Sequence, residues 1–154
     1  MVLPLVFTLL LGIVWFGRAF NIYSTIQQAA QQGAIFAARG TCVTCGNDFP
    51  GNFAVKGAVD AVLKSSSLDP KQILVNPNPA GPMFCTNPLA ACTSAGKIKI
   101  CRNVLLNPSA GAIQPPQCGA IVSFQYPFQF YLPFTSLNLQ KIILSAQAQS
   151  RMEN

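Results

Sequence analysis

Residues 9–40 read LLLGIVWFGRAFNIYSTIQQAAQQGAIFAARG, an apolar half and a glutamine-rich half with no turn between them. The chain has no charged side chain before Arg18, and a segment of about 17 residues is just long enough to cross a bilayer as a helix. We therefore predict one unbroken helix over residues 2–39, which at 1.5 Å per residue is a rod of roughly 57 Å. Arg39 falls in its last turn, and Gly40 is the expected C-cap.

The apolar start of this helix has two interpretations, a membrane anchor or a cleaved secretory signal. No basic residue precedes the apolar stretch, and the helical pattern continues where an A-x-A cleavage site would stand. Trp15 and Tyr23 lie near its far end, where aromatic rings favour the membrane interface. We therefore expect a single N-terminal anchor.

The composition indicates a surface that is covered by something other than water. Of the 154 residues, 51% are hydrophobic and 9% are charged, whereas roughly a quarter are charged in an ordinary soluble domain. Such a chain tends to associate, so we expect membrane, copies of itself or other subunits to cover it. The net charge is +6, but the basic residues are scattered from Arg18 to Arg151 without a stripe. No nucleic-acid partner is expected.

Small residues recur along the emerging half of the helix. Small side chains four positions apart flatten a helix face, so that another backbone can approach closely. The alternative is a face that packs on the chain's own globular domain, and part of it must do so. Leucine at Ala30, Gly33 or Ala34 is expected to block assembly and to leave the domain folded. The predicted assembly face comprises Gly12, Gly17, Ala29, Ala30, Gly33, Ala34, Ala37 and Ala38.

The sequence divides into a helical part, residues 1–40, and a β-rich, extracytoplasmic part, residues 41–154. A short helix is predicted near 52–66, with Asn52 as its N-cap. The apolar residues that we expect on its buried face are Phe53, Val55, Val59 and Val62.

Three or four strands are predicted after this helix. Residues 71–96 are rich in proline and turn residues and indicate loops around one short strand, Gln72–Val75. Longer strands are predicted at 97–106 and 120–132, where Pro127 requires an edge or a bulge. The last segment, 139–153, is expected to be a closing strand, although its Ala and Gln content also allows a helix. The predicted fold class is α+β, a long N-terminal helix packed on a small antiparallel sheet with disulfides.

The chain has six cysteines and no histidine. The Cys42–Cys45 spacing also occurs in zinc and redox sites, but a zinc ribbon needs a second C-x-x-C pair, and a redox pair normally opens a helix. Structural disulfides in an oxidising compartment are the preferred interpretation. Six cysteines allow 15 pairings, and pairing between neighbours is our hypothesis because it closes short loops. The predicted disulfide cysteines are Cys42, Cys45, Cys85, Cys92, Cys101 and Cys118.

The sequence offers little for catalysis. Without histidine no Ser–His or Cys–His nucleophilic pair can form within the chain. The acidic residues are far apart in sequence, and no phosphate-binding glycine loop is present. We expect no enzyme activity, no bound metal and no cofactor. The only acidic residues are Asp48, Asp60, Asp69 and Glu153.

Aromatic residues alternate along the segment 120–132. Side chains two positions apart face the same side of a strand, so these rings form one row. A binding platform is one interpretation, and core packing against the amphipathic half of the N-terminal helix is the preferred one. The predicted aromatic core of the sheet comprises Phe124, Tyr126, Phe128 and Phe130.

Both ends of the chain resemble a known family. The start, LPLVFTLLLGIVWFGRAFNIYSTIQQAA followed by QQGAIFAARG, resembles the TadE-like pseudopilins of the tight-adherence (Tad) pilus system. The tail is similar as well, with IVSFQYPFQF, a proline and then LQKIILSAQAQSRMEN. The resemblance implies a pilin-like fold, an inner-membrane location with an extracytoplasmic domain, and copies of itself or other pilins as partners.

Three functions remain open on the sequence. The first is a principal or minor structural subunit of a surface filament used in adhesion, which moves from the inner membrane to the cell surface. The second is a monomeric, membrane-anchored binding module whose Cys-rich loops hold a ligand. The third is a thiol–disulfide enzyme that uses Cys42 and Cys45.

Overall fold

One long helix and one short helix pack on the same face of a four-stranded antiparallel sheet, which confirms the predicted α+β class. The computed structural model describes residues 3–39, 49–76, 82–85, 91–108, 115–129 and 141–152. The expected C-cap at Gly40 lies outside these residues. The elements are α1 (Leu3–Ala38), α2 (Asn52–Ser65), a 3₁₀ turn (Pro70–Gln72), β1 (Ala91–Ala95), β2 (Ile98–Leu105), β3 (Cys118–Gln129) and β4 (Lys141–Arg151).

Helix α2 differs from its prediction at the first turn. Gly51 is the N-cap, and Asn52 is already helical, so the predicted cap is wrong. The Asn52 side chain instead accepts a 2.6 Å hydrogen bond from Nη1 of Arg102, whose Nη2 donates to the Pro50 carbonyl at 2.6 Å. Burial lowers the pKa of the Arg102 guanidinium below its usual value. These bonds fasten the start of α2 to strand β2.

The buried face of α2 is shifted along the helix from the predicted one. Val55 and Val59 are buried as predicted, and Leu63 completes the stripe. Phe53 is 83% exposed, so its predicted burial is wrong, and Val62 is only partly buried. Because Leu63 lies one turn beyond Val59, the observed stripe follows the helical period more closely than the predicted set does.

Strand β1 of the β1–β2 hairpin was not predicted, because it lies in the segment 71–96, which was predicted to be mostly loop. The two-residue turn of the hairpin places Gly96 at φ +62°, a backbone conformation that suits glycine. The predicted strand Gln72–Val75 is wrong, because Gln72 ends the 3₁₀ turn and only Leu74 makes an isolated β-bridge, to Gln125. Tertiary pairing with β2 organises β1.

Strand β3 lies between β2 and β4, yet Pro127 fits there. The backbone N–H and C=O of Gln125 bond to Leu74, on the side away from β4. Pro127 lies two residues after Gln125, so its backbone N atom points to the same side, away from β4. No described strand pairs with β3 at this point, and no hydrogen bond of the sheet is lost because proline has no N–H. The proline therefore occupies a local edge, as predicted. The tail forms strand β4 rather than a helix, so the closing strand is confirmed.

The main core lies between α1, α2 and one face of the sheet. Ala120, Val122 and Phe124 of β3 face the helices, because alternate strand residues share a side. A smaller cluster of Cys101, Val104 and Ile121, with Cys92 against it, is separate from this core.

A bulge shifts the register of β2 against β3 between Cys101 and Val104. Asn103 lies in it at φ +55°, and asparagine tolerates this left-handed conformation better than most residues do. The Asn103 carbonyl accepts a 2.8 Å hydrogen bond from the backbone N–H of Cys85, so the bulge also holds the segment 82–85 against the sheet.

Candidate functional site

Helix α1 consists of two halves with opposite surroundings. From Thr25 to Ala38 one face is buried against α2, β3 and β4, whereas from Leu5 to Phe20 no residue is buried by the domain. The first half therefore leaves a large apolar surface uncovered. Its exposed large apolar residues are Leu3, Leu5, Val6, Phe7, Leu9, Leu10, Ile13, Val14, Phe16 and Phe20.

The exposed half has the properties of a membrane span. Over Leu5–Ala38 the helix is long enough to cross a bilayer, and its most apolar window has a mean hydropathy of 1.8 with no residue buried. The Thr8 hydroxyl satisfies itself by donating to the Leu5 carbonyl at 2.9 Å. The first charge is Arg18, whose guanidinium lies 5.8 Å from the centre of the Trp15 ring. This pair marks the end of the uncharged segment, where a cation and an indole ring suit a membrane interface.

The structure separates the predicted assembly face into two groups. Gly12 and Gly17 lie in the exposed half, and a Cβ atom at either position would meet nothing within 4 Å. The other six residues are buried by the domain itself, so the alternative of packing on the chain's own domain applies to them. They do not form an exposed face toward another subunit. The six are Ala29, Ala30, Gly33, Ala34, Ala37 and Ala38.

Gly33 shows why small residues are needed on this face. A Cβ atom there would lie 2.6 Å from Cγ2 of Val59 and 3.4 Å from Cγ1 of Val122. Gly33, Val59 and Val122 thus bring α1, α2 and β3 into contact at one place. The close contact that the small residues permit is therefore made within the chain. Leucine at Gly33 is now expected to overpack this contact rather than to leave the domain unaffected.

Polar residues of α1 divide between the domain and solvent. Nε2 of Gln27 donates to the Ser145 carbonyl of β4 at 3.4 Å and so contacts the domain. Gln28, Gln31 and Gln32 have exposed side chains. The emerging helix thus presents a polar face without charge along its packed half.

Two disulfides join the described cysteines, and their pairing is nested. Cys92 bonds to Cys101, its direct partner in the β1–β2 ladder, and Cys85 bonds to Cys118. Cys92 and Cys101 are consecutive cysteines in the sequence, so pairing between neighbours holds for this bond. It is wrong for Cys85 and Cys118, whose bond encloses the other one and closes a longer loop. Cys42 and Cys45 lie outside the described residues.

The two disulfides are expected to contribute unequally to stability. Cys85–Cys118 closes a loop with a sequence separation of 33, and Cys92–Cys101 one of 9. Loop-closure entropy gives about 4 kcal/mol for the longer loop and about 2.5 kcal/mol for the shorter one. Urea titration should show that serine at both Cys85 and Cys118 lowers the free energy of unfolding more than serine at both Cys92 and Cys101. Equal losses, or the reverse order, would contradict the assignment.

The predicted aromatic row belongs to the sheet. Phe124 and Tyr126 are buried in the main core together with Ile26 of α1, as core packing against the helix requires. Phe128 is buried as well. Phe130 lies outside the described residues. No described ring of the row is free to serve as an open binding platform.

Tyr126 is the buried titratable group of this row. Burial raises the pKa of its hydroxyl above the usual 10.0. A hydrogen bond with the backbone of Asp69 works in the opposite direction, and repulsion by the Asp69 carboxylate adds to the rise. The folded protein therefore favours the neutral phenol.

A raised pKa of Tyr126 makes the protein sensitive to alkali. Its contribution to stability is complete below the unfolded pKa of about 10 and is lost as the pH rises through the folded pKa. The free energy of unfolding of the Tyr126→Phe variant should fall less steeply above pH 10 than that of the wild type. Denaturant titrations at a series of pH values measure this, and parallel slopes would count against it.

The described residues contain no group of three or more His, Cys, Asp or Glu side chains that could hold a metal ion. Charged side chains outside α1 are grouped around a cavity. Its lining includes Lys56, Lys64, Lys71 and Lys97. Their spacing in the sequence does not indicate this grouping, since they come from α2, the 3₁₀ turn and the β1–β2 turn. Only the fold brings them together.

The part of the chain that resembles known proteins lies in α1, over its exposed apolar half and the beginning of its packed half. Residues 1–34 match the TadE-like protein family. The suspected resemblance is thereby confirmed over the span and the first part of the packed half of α1. No curated protein and no solved structure gave a significant match. The match covers less than half of the chain, and the remainder of the domain is described by its own structure alone.

Proposed function

We propose that the protein is a pilin-like structural subunit of a Tad-type pilus filament, with α1 as its anchor and its assembly element. The observation that supports this most is the uncovered apolar half of α1, Leu3 to Phe20, which is continuous with a helix half fixed in the domain. The TadE-like match covers this same part. A surface of this kind needs lipid or other apolar helices around it.

Assembly would exchange lipid contacts of the span for contacts with helices of other subunits. Lipid tails are as apolar as leucine side chains, so the exchange depends on packing rather than on the hydrophobic effect. Gly12 and Gly17 are the positions of the span where another backbone could approach most closely. We place the contact between subunits at these two residues instead of at the buried small residues of the second half.

The uncharged polar face of α1 suits the same exchange. Gln28, Gln31 and Gln32 are exposed in the single chain and would come near other helices in a filament. Because glutamine is polar without being charged, repeated copies do not bring like charges together. The helix can therefore be solvated before assembly and packed after it.

The two disulfides support an extracytoplasmic location of the domain, because such bonds persist in oxidising compartments. In the proposed sequence of events the domain lies outside the inner membrane while α1 is anchored, and it reaches the cell surface with the filament. The partners are copies of the same chain, other pilins, or both.

Quantitative mass spectrometry of the filament fraction sheared from intact cells tests the proposal. If the chain is a principal subunit, its peptides dominate this fraction, and the peptide at its mature N-terminus defines the processed end. A constant trace amount in purified filaments indicates a minor subunit. Exclusive recovery with the membranes would reject the filament role in favour of an anchored binding module.

A further inference from the structure

The domain contains a cavity of about 380 Å³ on the side of α2. Its walls come from α2, the 3₁₀ turn and the β1–β2 turn, three elements that lie apart in the sequence. The volume is at the lower end of the range of small-molecule sites, roughly 300–1,000 Å³. The described residues that line it are Lys56, Asp60, Lys64, Asp69, Pro70, Lys71, Ile73, Gly96, Lys97 and Ile98.

Among the described residues that line the cavity, four lysines stand against two aspartates, so their net charge is positive. Lys56 is paired with Asp60, the residue one helical turn along α2. The side chains of Lys64, Lys71 and Lys97 have no ion-pair partner among the described residues. An electropositive concave site therefore exists in a chain whose basic residues look scattered in sequence.

Contacts between side chains and backbone connect the walls of the cavity to one another. Asp69 caps the 3₁₀ turn by accepting a 3.0 Å hydrogen bond from the backbone N–H of Lys71. A Cβ atom on Gly96 would lie 3.5 Å from Cε of Lys56, so the β1–β2 turn packs directly on the stem of that lysine. The ammonium groups are flexible, but the main-chain positions from which they project are fixed.

We propose that this cavity binds an anionic sugar unit, such as a uronic acid or a sugar phosphate. Lysine ammonium groups bind carboxylate and phosphate as point charges, and aspartate carboxylates accept hydrogen bonds from hydroxyl groups. A small polyhydroxylated anion uses both kinds of group, and it suits the volume. Such a unit exists free or as part of an acidic polysaccharide.

Other anionic partners fit the cavity less well. No aromatic side chain is found among the described residues that line it, whereas sequence-tolerant binding of single-stranded nucleic acid relies on stacking between bases and aromatic rings. A second copy of the chain supplies few anions, since the sequence has four acidic residues and two of them, Asp60 and Asp69, line the cavity itself.

Calorimetric titration of the full chain in zwitterionic nanodiscs tests the inference. The ligands are glucuronate, glucose 6-phosphate, a galacturonate oligomer, inorganic phosphate and neutral glucose. We expect the sugar anions to bind with a Kd on the order of 1 mM. The Kd of glucose should be about tenfold higher, or its binding too weak to measure. Tighter binding of the oligomer than of glucuronate would identify a polysaccharide as the source, and equal binding a free sugar acid.

Variants locate the binding in the cavity. The double variant Lys71→Ala/Lys97→Ala should weaken glucuronate binding about tenfold, whereas Lys141→Ala, an exposed lysine on β4 outside the cavity, should not change it. Unchanged melting temperatures separate lost binding from lost folding, and Lys64→Glu is the second variant if the first is unstable. The proposal would be overturned if the sugar anions did not bind, or if glucose or inorganic phosphate bound equally well. Full affinity for glucuronate in both the Lys71→Ala/Lys97→Ala and the Lys64→Glu variant would also overturn it.

Discussion

Leucine at position 33 is expected to destabilise the folded domain. The Gly33→Leu variant should lower the free energy of unfolding by about 3 kcal/mol or more, because overpacking a well-packed core forces side chains and backbone apart. The first added carbon atom would already lie 2.6 Å from Val59 and 3.4 Å from Val122, which are both fully buried. Urea titration of the full chain in detergent, followed by near-UV circular dichroism, measures the loss.

The control for this variant is Gln32→Leu, one residue earlier on the same helix. It adds a leucine of the same size at an exposed position, so the free energy of unfolding should change little. Equal unfolding midpoints for the two variants would show that α1 does not approach α2 as closely as the structure indicates. If Gly33→Leu also loses filaments, the loss reports on folding rather than on a contact between subunits.

Filament formation is expected to fail when Gly12 or Gly17 is replaced by leucine. Neither residue contacts the domain, so the free energy of unfolding should stay within about 0.5 kcal/mol of the wild type. Membrane insertion should persist, because leucine is more apolar than glycine. A side chain at these positions would keep a neighbouring helix away, and filaments sheared from cells should fall to background.

Val14→Leu is the matched control, since it exchanges one exposed apolar side chain of the same span for another. Electron microscopy and quantification of the sheared fraction should show normal filaments for this variant. Normal filaments in both glycine variants would remove Gly12 and Gly17 from the assembly contact and would favour a span that serves only as an anchor.

Periodicity predicted the elements that bury one clear face. The uncharged apolar run and the absence of a turn after it predicted α1 over residues 2–39, close to its observed bounds, and the segments 97–106 and 120–132 were predicted as the strands that are β2 and β3. Strand β1 escaped prediction because ACTSA contains one β-branched residue and no alternating apolar face. Its conformation comes from pairing with β2 and from the Cys92–Cys101 bond.

The candidate site shows the limits of a single sequence more clearly. Small residues at Ala30, Gly33 and Ala34 predicted a close approach, and the structure confirms a close approach. Spacing cannot tell whether the approaching element belongs to the same chain, and in the structure the element that approaches is the chain's own domain. The pairing of cysteines and the grouping of lysines depend on strand register and on distant turns, which local patterns do not encode.

The continuity of α1 has a mechanical consequence. No break interrupts the helix between Leu3 and Ala38, and its second half is a wall of the core rather than a tether. A turn of the span about its axis therefore turns the whole sheet through the same angle, and tilt of the span becomes displacement of the domain. Torque or tension applied at one end reaches the other without a hinge to absorb it.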